Sequence, residues 1–222
     1  MMKRIKSFIY DRVVLCLAKL FRKKYEIIYF KKLRKNLKNS NFSIFSPNCY
    51  AGIMYHRLGL PFSSPTINMF FPVKKQYLKF ISNIRYYIKI DLVFIEDESY
   101  DCPVAMLDDV KIVFNHYRSN EEAAECWNRR KERINYDNIF LIFDDINDVE
   151  YSDILEFQKI DCKGKVVFTA NEYPEIPSAV QIKKYKKSKT LKPYLLDKSV
   201  WTGKNIADKY FNFVKWLNGN NS

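Results

Sequence analysis

Ile139-Phe140-Leu141-Ile142-Phe143 is an unbroken apolar run that ends on Asp144-Asp145. A strand with one wet face alternates apolar and polar side chains, whereas an uninterrupted apolar run buries both faces. The run therefore predicts a central strand of a parallel sheet, covered on both sides, with carboxylates at its end. Shorter apolar runs predict further strands at 42–46, 66–71, 92–95, 110–114 and 165–169. Helical periodicity lies near 50–58, 73–89, 119–134, 150–160 and 205–217, as in the stripe Val73, Tyr77, Phe80, Ile81, Ile84 and Ile88. Strands alternating with helices specify a three-layer α/β fold with a largely parallel sheet.

Charge divides the chain into two parts. Residues 1–40 carry 13 of the 38 Lys and Arg but only Asp11 and Glu26 among the acids. The other 182 residues hold 25 basic and 23 acidic groups and are close to neutral. The expected organisation is a basic amphipathic helical segment, 1–40, before a single α/β domain, 41–222. At 100° per residue Ile5, Ile9, Val13, Cys16, Leu17 and Leu20 share one face, with Tyr10, Val14 and Phe21 at its margin. Such a helix can lie in the headgroup layer of an anionic membrane, or dock on the body with its lysines in water. Asp11 and Arg12 interrupt any signal-peptide core, and Val13 to Ala18 is far shorter than the ~20 residues of a membrane span. Nucleic acid is disfavoured, because no RNP run, zinc knuckle or helix-turn-helix pattern occurs.

The five cysteines, Cys16, Cys49, Cys102, Cys126 and Cys162, form no C-x-x-C pair. Scattered and odd in number, they fit reduced thiols in a cytosol, and with only His56 and His116 beside them no metal site is expected. No cofactor follows from the sequence.

Ligands of open α/β sheets bind beyond the carboxyl ends of the strands. Here those ends read Ser46-Pro47-Asn48-Cys49, Asn115-His116-Tyr117, Asp144-Asp145 and Thr169-Ala170-Asn171. After the second of them, Ser119 and Glu122 form a capping box that starts a helix whose inner stripe is Ala123, Trp127, Arg130 and Ile134. An arginine in an apolar stripe requires a partner. Asp108, Asp109, Asp144 and Asp145 are the candidates, as is a bound phosphate or carboxylate. The candidate site is therefore Asn48, Cys49, His116, Arg130, Asp144 and Asp145.

The stretches Ser46-Pro47-Asn48-Cys49-Tyr50-Ala51-Gly52, Ser64 to Phe71, His116-Tyr117-Arg118-Ser119 and Trp127 to Asn135 resemble an uncharacterised bacterial family, a domain-of-unknown-function grouping. Its members are commonly described as exopolysaccharide biosynthesis proteins. The resemblance covers roughly 41–218 and is most specific between His116 and Asn138. It implies an α/β domain and a place in exopolysaccharide or capsule assembly, and it brings no catalytic residues with it.

Three activities fit these residues. The first is a sugar transferase at the inner membrane face, using a nucleotide sugar or a lipid-linked glycan. The helix start after Asn48 and Arg130 would cradle a diphosphate; His116 or Asp144 would be the base, and Asp145 a binding residue. The chain has no D-x-D, G-x-G-x-x-G or Walker loop. The second is Cys-dependent acyl transfer, with Cys49 activated by a helix start and His116 as its base. The third is a non-catalytic accessory protein that binds a glycan or other polysaccharide-assembly proteins.

Overall fold

The computed structural model describes residues 2–147 and 149–219, with only the backbone along 2–13. The elements are α1 (Met2–Asn36), β1 (Ser43–Phe45), α2 (Tyr50–Leu58), α3 (Lys74–Ser82), α4 (Ile84–Tyr87), β2 (Val93–Ile95), β3 (Val104–Leu107), β4 (Val110–Val113), α5 (Asn120–Lys131), β5 (Ile139–Asp144), α6 (Tyr151–Lys159), β6 (Gly164–Thr169), β7 (Ala179–Gln181) and α7 (Phe213–Leu217).

The central sheet has the order β1-β5-β6-β7, and every pairing in it is parallel. The apolar run thus forms an inner strand, as its composition requires. Its alternate side chains divide the core into two layers. Leu141 and Phe143 pack with residues of α3, α5 and α6, including Trp127 and Phe157. Phe140 and Ile142 pack with residues of α2 and α7, including Met54 and Trp216. The result is the expected three-layer α/β architecture.

Four expectations are corrected. The runs at 92–95 and 110–114 do form strands, but with β3 they build a separate antiparallel sheet in the order β2-β3-β4. No strand forms at 66–71, where Pro65 precedes the run and Asn68 sits at φ 62°; only Phe70 bridges to Val113. The helix expected at 73–89 breaks at Asn83, whose φ/ψ of −142°/49° is not helical. The helix expected at 205–217 is a 3₁₀ turn at Ile206–Lys209 followed by the short α7.

Helix α1 docks on α2 and on the C-terminal segment. Ala18 is buried, and Leu33 and Leu37 pack on the α2/α7 layer of the core. Arg34 Nε donates to the Arg57 carbonyl at 3.1 Å, and Asn218 bonds the Asn36 carbonyl and the Lys38 amide. Arg22 and Glu26 pair at 2.8 Å and press against Gly203, whose φ of 67° and lack of a side chain admit them. The face that docks is not the apolar stripe read from the sequence. Leu17, Leu20 and Phe21 of that stripe remain more than half exposed, as do Ile27 and Ile28; Ile5, Ile9 and Val13 have no described side chains. Among the described residues no helix is long and apolar enough to cross a membrane.

Candidate functional site

At the carboxyl end of β1 the chain turns into α2 on one face of the sheet, while at the end of β5 it leads to α6 on the other. Adjacent strands that send their chains to opposite faces leave a crevice between them, and this is where open α/β sheets bind ligands. Here that crevice is closed at its floor by a charged cluster. Asn48 Nδ2 donates to Asp144 Oδ2 at 2.6 Å, and Lys74 Nζ lies 2.9 Å from Asp144 Oδ1.

Local sequence explains the placement. Ser46 and Asn48 turn the chain out of β1: Asn48 Oδ1 accepts the Tyr50 amide at 3.0 Å and Ser46 Oγ the Ala51 amide at 3.1 Å. The Asn48 amide group is thereby aimed at Asp144. Lys74 opens α3 at the edge of its apolar stripe, so its stem is buried and its ammonium reaches under the sheet end. Asp144 is fully buried, and Tyr194 packs near it, edge-on to Tyr50 and tilted against Phe168. Burial, with Asp144 adding to it, holds the Tyr194 phenol well above its ordinary pKa. Asp144 Oδ1 faces the ammonium as a charge contact without a well-angled hydrogen bond, an incompletely satisfied buried pair of the kind that collects where function requires it.

Asp145 has a different task. Its carboxylate accepts the Ala170 and Leu191 amides, each at 2.8 Å, and so ties the ends of β5 and β6 to the segment after residue 190. Burial raises its pKa to about 6, against the two amides that favour the charged form.

Cys49 is half-buried beside α2. Burial pushes its thiol up, and the Asn115 side chain and the Lys198 charge only partly oppose that. This is the reverse of the activation expected at a helix start. The β4 loop does meet the β1 loop, through Asn115, while the neighbouring His116 is exposed and makes no hydrogen bond among the described residues. Cys49, with Asn115 and Lys198 near it and His116 next to Asn115 in the chain, marks the mouth of the crevice at the β1 end.

Arg130 is buried, as its stripe requires, but its partner is not one of the expected acids. Nη1 donates to the Ile67 carbonyl at 3.1 Å and to the Tyr117 hydroxyl, and the guanidinium lies 5.0 Å from the Phe62 ring centroid. Asp108 and Asp109 are taken by Tyr86, Tyr87 and Lys79. The first amides of α2 are likewise satisfied by Ser46 and Asn48, so the cradle expected from α2 and Arg130 is not preformed. Sequence reasoning missed Lys74, Lys198 and Tyr194, and named Asn115 only as a strand end. Among the described residues no group of three or more His, Cys, Asp or Glu could hold a metal ion.

A family model described as a domain of unknown function, DUF1919, matches residues 18–218. The match begins at residue 18, not near 41 as the resemblance read from the sequence had it, and so takes in the second half of α1 as well as the body. An uncharacterized protein of Haemophilus influenzae (strain Rd) is 35% identical over 188 residues, which is 85% of this chain and 89% of that protein. The chain belongs to the DUF1919 family.

Proposed function

We propose that this protein transfers a sugar unit during assembly of a surface polysaccharide, at the cytoplasmic face of an anionic membrane. The observation that carries the reading is the buried Lys74–Asp144–Asn48 cluster at the crevice between β1 and β5. Resemblance to proteins of exopolysaccharide biosynthesis supplies the pathway; the crevice supplies the place for the chemistry.

In this reading Asp144 does not touch substrate. It is a positioning residue that, with Lys74, fixes Asn48 and the β1 loop. Substrate contacts belong to the mouth. His116 accepts the proton of the acceptor hydroxyl as that oxygen bonds to the anomeric carbon of a nucleotide sugar. The bond from that carbon to the diphosphate breaks, and the departing nucleoside diphosphate carries its charge toward Lys198. The Cys49 thiol, shifted upward by burial, does not favour the acyl-transfer alternative.

One observation favours a second reading. Asp144, Asp145 and Arg130 are each engaged by internal partners, as in an accessory protein that binds a glycan or a polysaccharide-assembly protein. Calorimetric titration with a panel of nucleotide sugars separates the two. The transferase binds one of them and loses at least tenfold in affinity on Lys198→Ala, with the melting temperature unchanged. Absence of binding across the panel by a folded sample contradicts it.

A further inference from the structure

The docked helix leaves a groove of about 880 Å³ between its flank and the segment 204–218. Four lysines line it, Lys32, Lys204, Lys209 and Lys215, and none has a carboxylate within 4.0 Å among the described residues. The one acid in the wall, Asp208, is neutralised by Arg57, whose Nη1 donates to both carboxylate oxygens at 2.8 Å. Lys204 Nζ instead stands 4.3 Å from the ring centroid of Tyr29 and 5.5 Å from that of Tyr25. A cluster of like charges without counter-charges is costly by itself, and an anion relieves the cost.

The groove is continuous with an unpartnered apolar edge. Tyr29, Tyr25, Phe21 and Trp201 follow one another at ring-centroid distances of 5.8, 6.4 and 6.2 Å, running from inside the groove to its rim. Phe21 and Trp201 are about half exposed there. Ile28 lines the groove and is nevertheless 70% exposed, more than the other large apolar side chains described on the helix. Leu17 and Leu20, on the same side as Phe21, are also open to water.

We infer that this surface seats the protein on an anionic phospholipid bilayer. The lysine groove takes a lipid phosphate, and Phe21, Ile28 and Trp201 enter the layer between headgroups and acyl chains. The two halves have complementary chemistry. Anionic headgroups supply the missing counter-charge, and the interface is where an amphipathic tryptophan is most at ease. The inference deepens the membrane part of the reading above and is independent of sugar transfer.

The test is flotation of the full chain with vesicles of phosphatidylcholine, with and without phosphatidylglycerol. Wild type floats with the anionic vesicles and stays behind with the neutral ones. Removing Lys204, Lys209 and Lys215 together, each to Gln, weakens partitioning about a hundredfold, at roughly fivefold per lysine. Trp201→Ser with Ile28→Ser weakens it about tenfold or more. The same charge removed across the sheet, Lys89→Gln, Lys131→Gln and Lys159→Gln, changes it less than threefold. Equal losses for the two lysine triplets would reduce the effect to net charge and overturn the site. So would failure of wild type to float. Release of wild type by inorganic phosphate at constant ionic strength would assign the groove to a soluble ligand and overturn the membrane assignment. None of these outcomes depends on a nucleotide sugar.

Discussion

Lys74, in the first turn of α3, holds its ammonium 2.9 Å from the carboxylate of Asp144 at the end of β5, and both side chains are at least nine-tenths buried. The pair links the helical layer to the strand end across the floor of the crevice. Neither charge has water to fall back on, so each depends on the other. Lys74→Met alone leaves a buried carboxylate and costs about 3 kcal/mol or more, whereas Lys74→Met with Asp144→Leu recovers most of that loss. Urea unfolding of the two single variants and the double variant measures the coupling directly. Additive losses would mean that the pair is not the unit described here.

Gly203 tests the docking of α1. Its φ of 67° already disfavours any side chain, and a Cβ there would strike Glu26 and Arg22. Gly219 shares the backbone conformation, at φ 79°, but a Cβ there would meet nothing within 4 Å. Gly219→Ala therefore pays only the left-handed backbone cost of about 1–2 kcal/mol. Gly203→Ala loses more and exposes the sequence around Arg22 to protease. Equal behaviour of the two variants would show that the helix is not held at that point.

Asp145 makes stability depend on pH in a definite direction. Its folded pKa, raised by burial to about 6, lies above the value near 4 of an unfolded aspartate. Between those values the folded chain binds the extra proton, so this group's contribution to stability falls as pH rises from about 4 to 6. The stability difference between wild type and Asp145→Asn should therefore shrink by about 2–3 kcal/mol over that range, read from unfolding curves at each pH. A difference that stays flat would place the carboxyl group at an ordinary pKa.

Cys49 should be a slow nucleophile. It is half-buried, with its thiol pushed up by burial, while Cys16 is exposed on α1. Iodoacetamide at neutral pH is expected to label Cys16 well before Cys49, as read by mass spectrometry of the digested protein. Cys49→Ala should keep nucleotide-sugar binding within about threefold. Rapid labelling of Cys49 together with loss of function in the alanine variant would revive acyl transfer.

The layered fold was legible where composition alone dictates it. Phe140 and Leu141 face opposite layers, so only a strand covered on both sides satisfies that run. Strand β3 was missed although Val104, Ala105 and Leu107 are buried, because it is too short to show a period and its hairpin turns on Asp108-Asp109. Edge strand β7, Ala179–Gln181, pairs with β6 alone among the described residues and carries no signal of its own. Residues 66–71 read as a strand because they are apolar, yet their burial comes from packing around the left-handed Asn68.

The strand-end loops pointed to the candidate crevice for a general reason: a parallel sheet delivers its loops to one rim. Asn48 and Asp144 meet there although 96 residues separate them. Lys74 gave no such signal, since a lysine at a helix start is solvated by default and its partner lies in another layer. The stripe position of Arg130 foretold its burial, but the Ile67 carbonyl and the Tyr117 phenol that satisfy it are tertiary facts.

The measurement closest to the central claim is transfer itself. Purified protein is incubated with membranes of a polysaccharide-producing strain that lacks its own copy, and with radiolabelled nucleotide sugars. Label in the lipid-extractable fraction is then counted. The account predicts incorporation that requires the added protein, falls at least a hundredfold with His116→Ala in a folded variant, and survives Cys49→Ala. Incorporation that is unchanged by His116→Ala, or absent with every sugar while the protein is folded and membrane-bound, would contradict catalysis at this crevice and leave the accessory role.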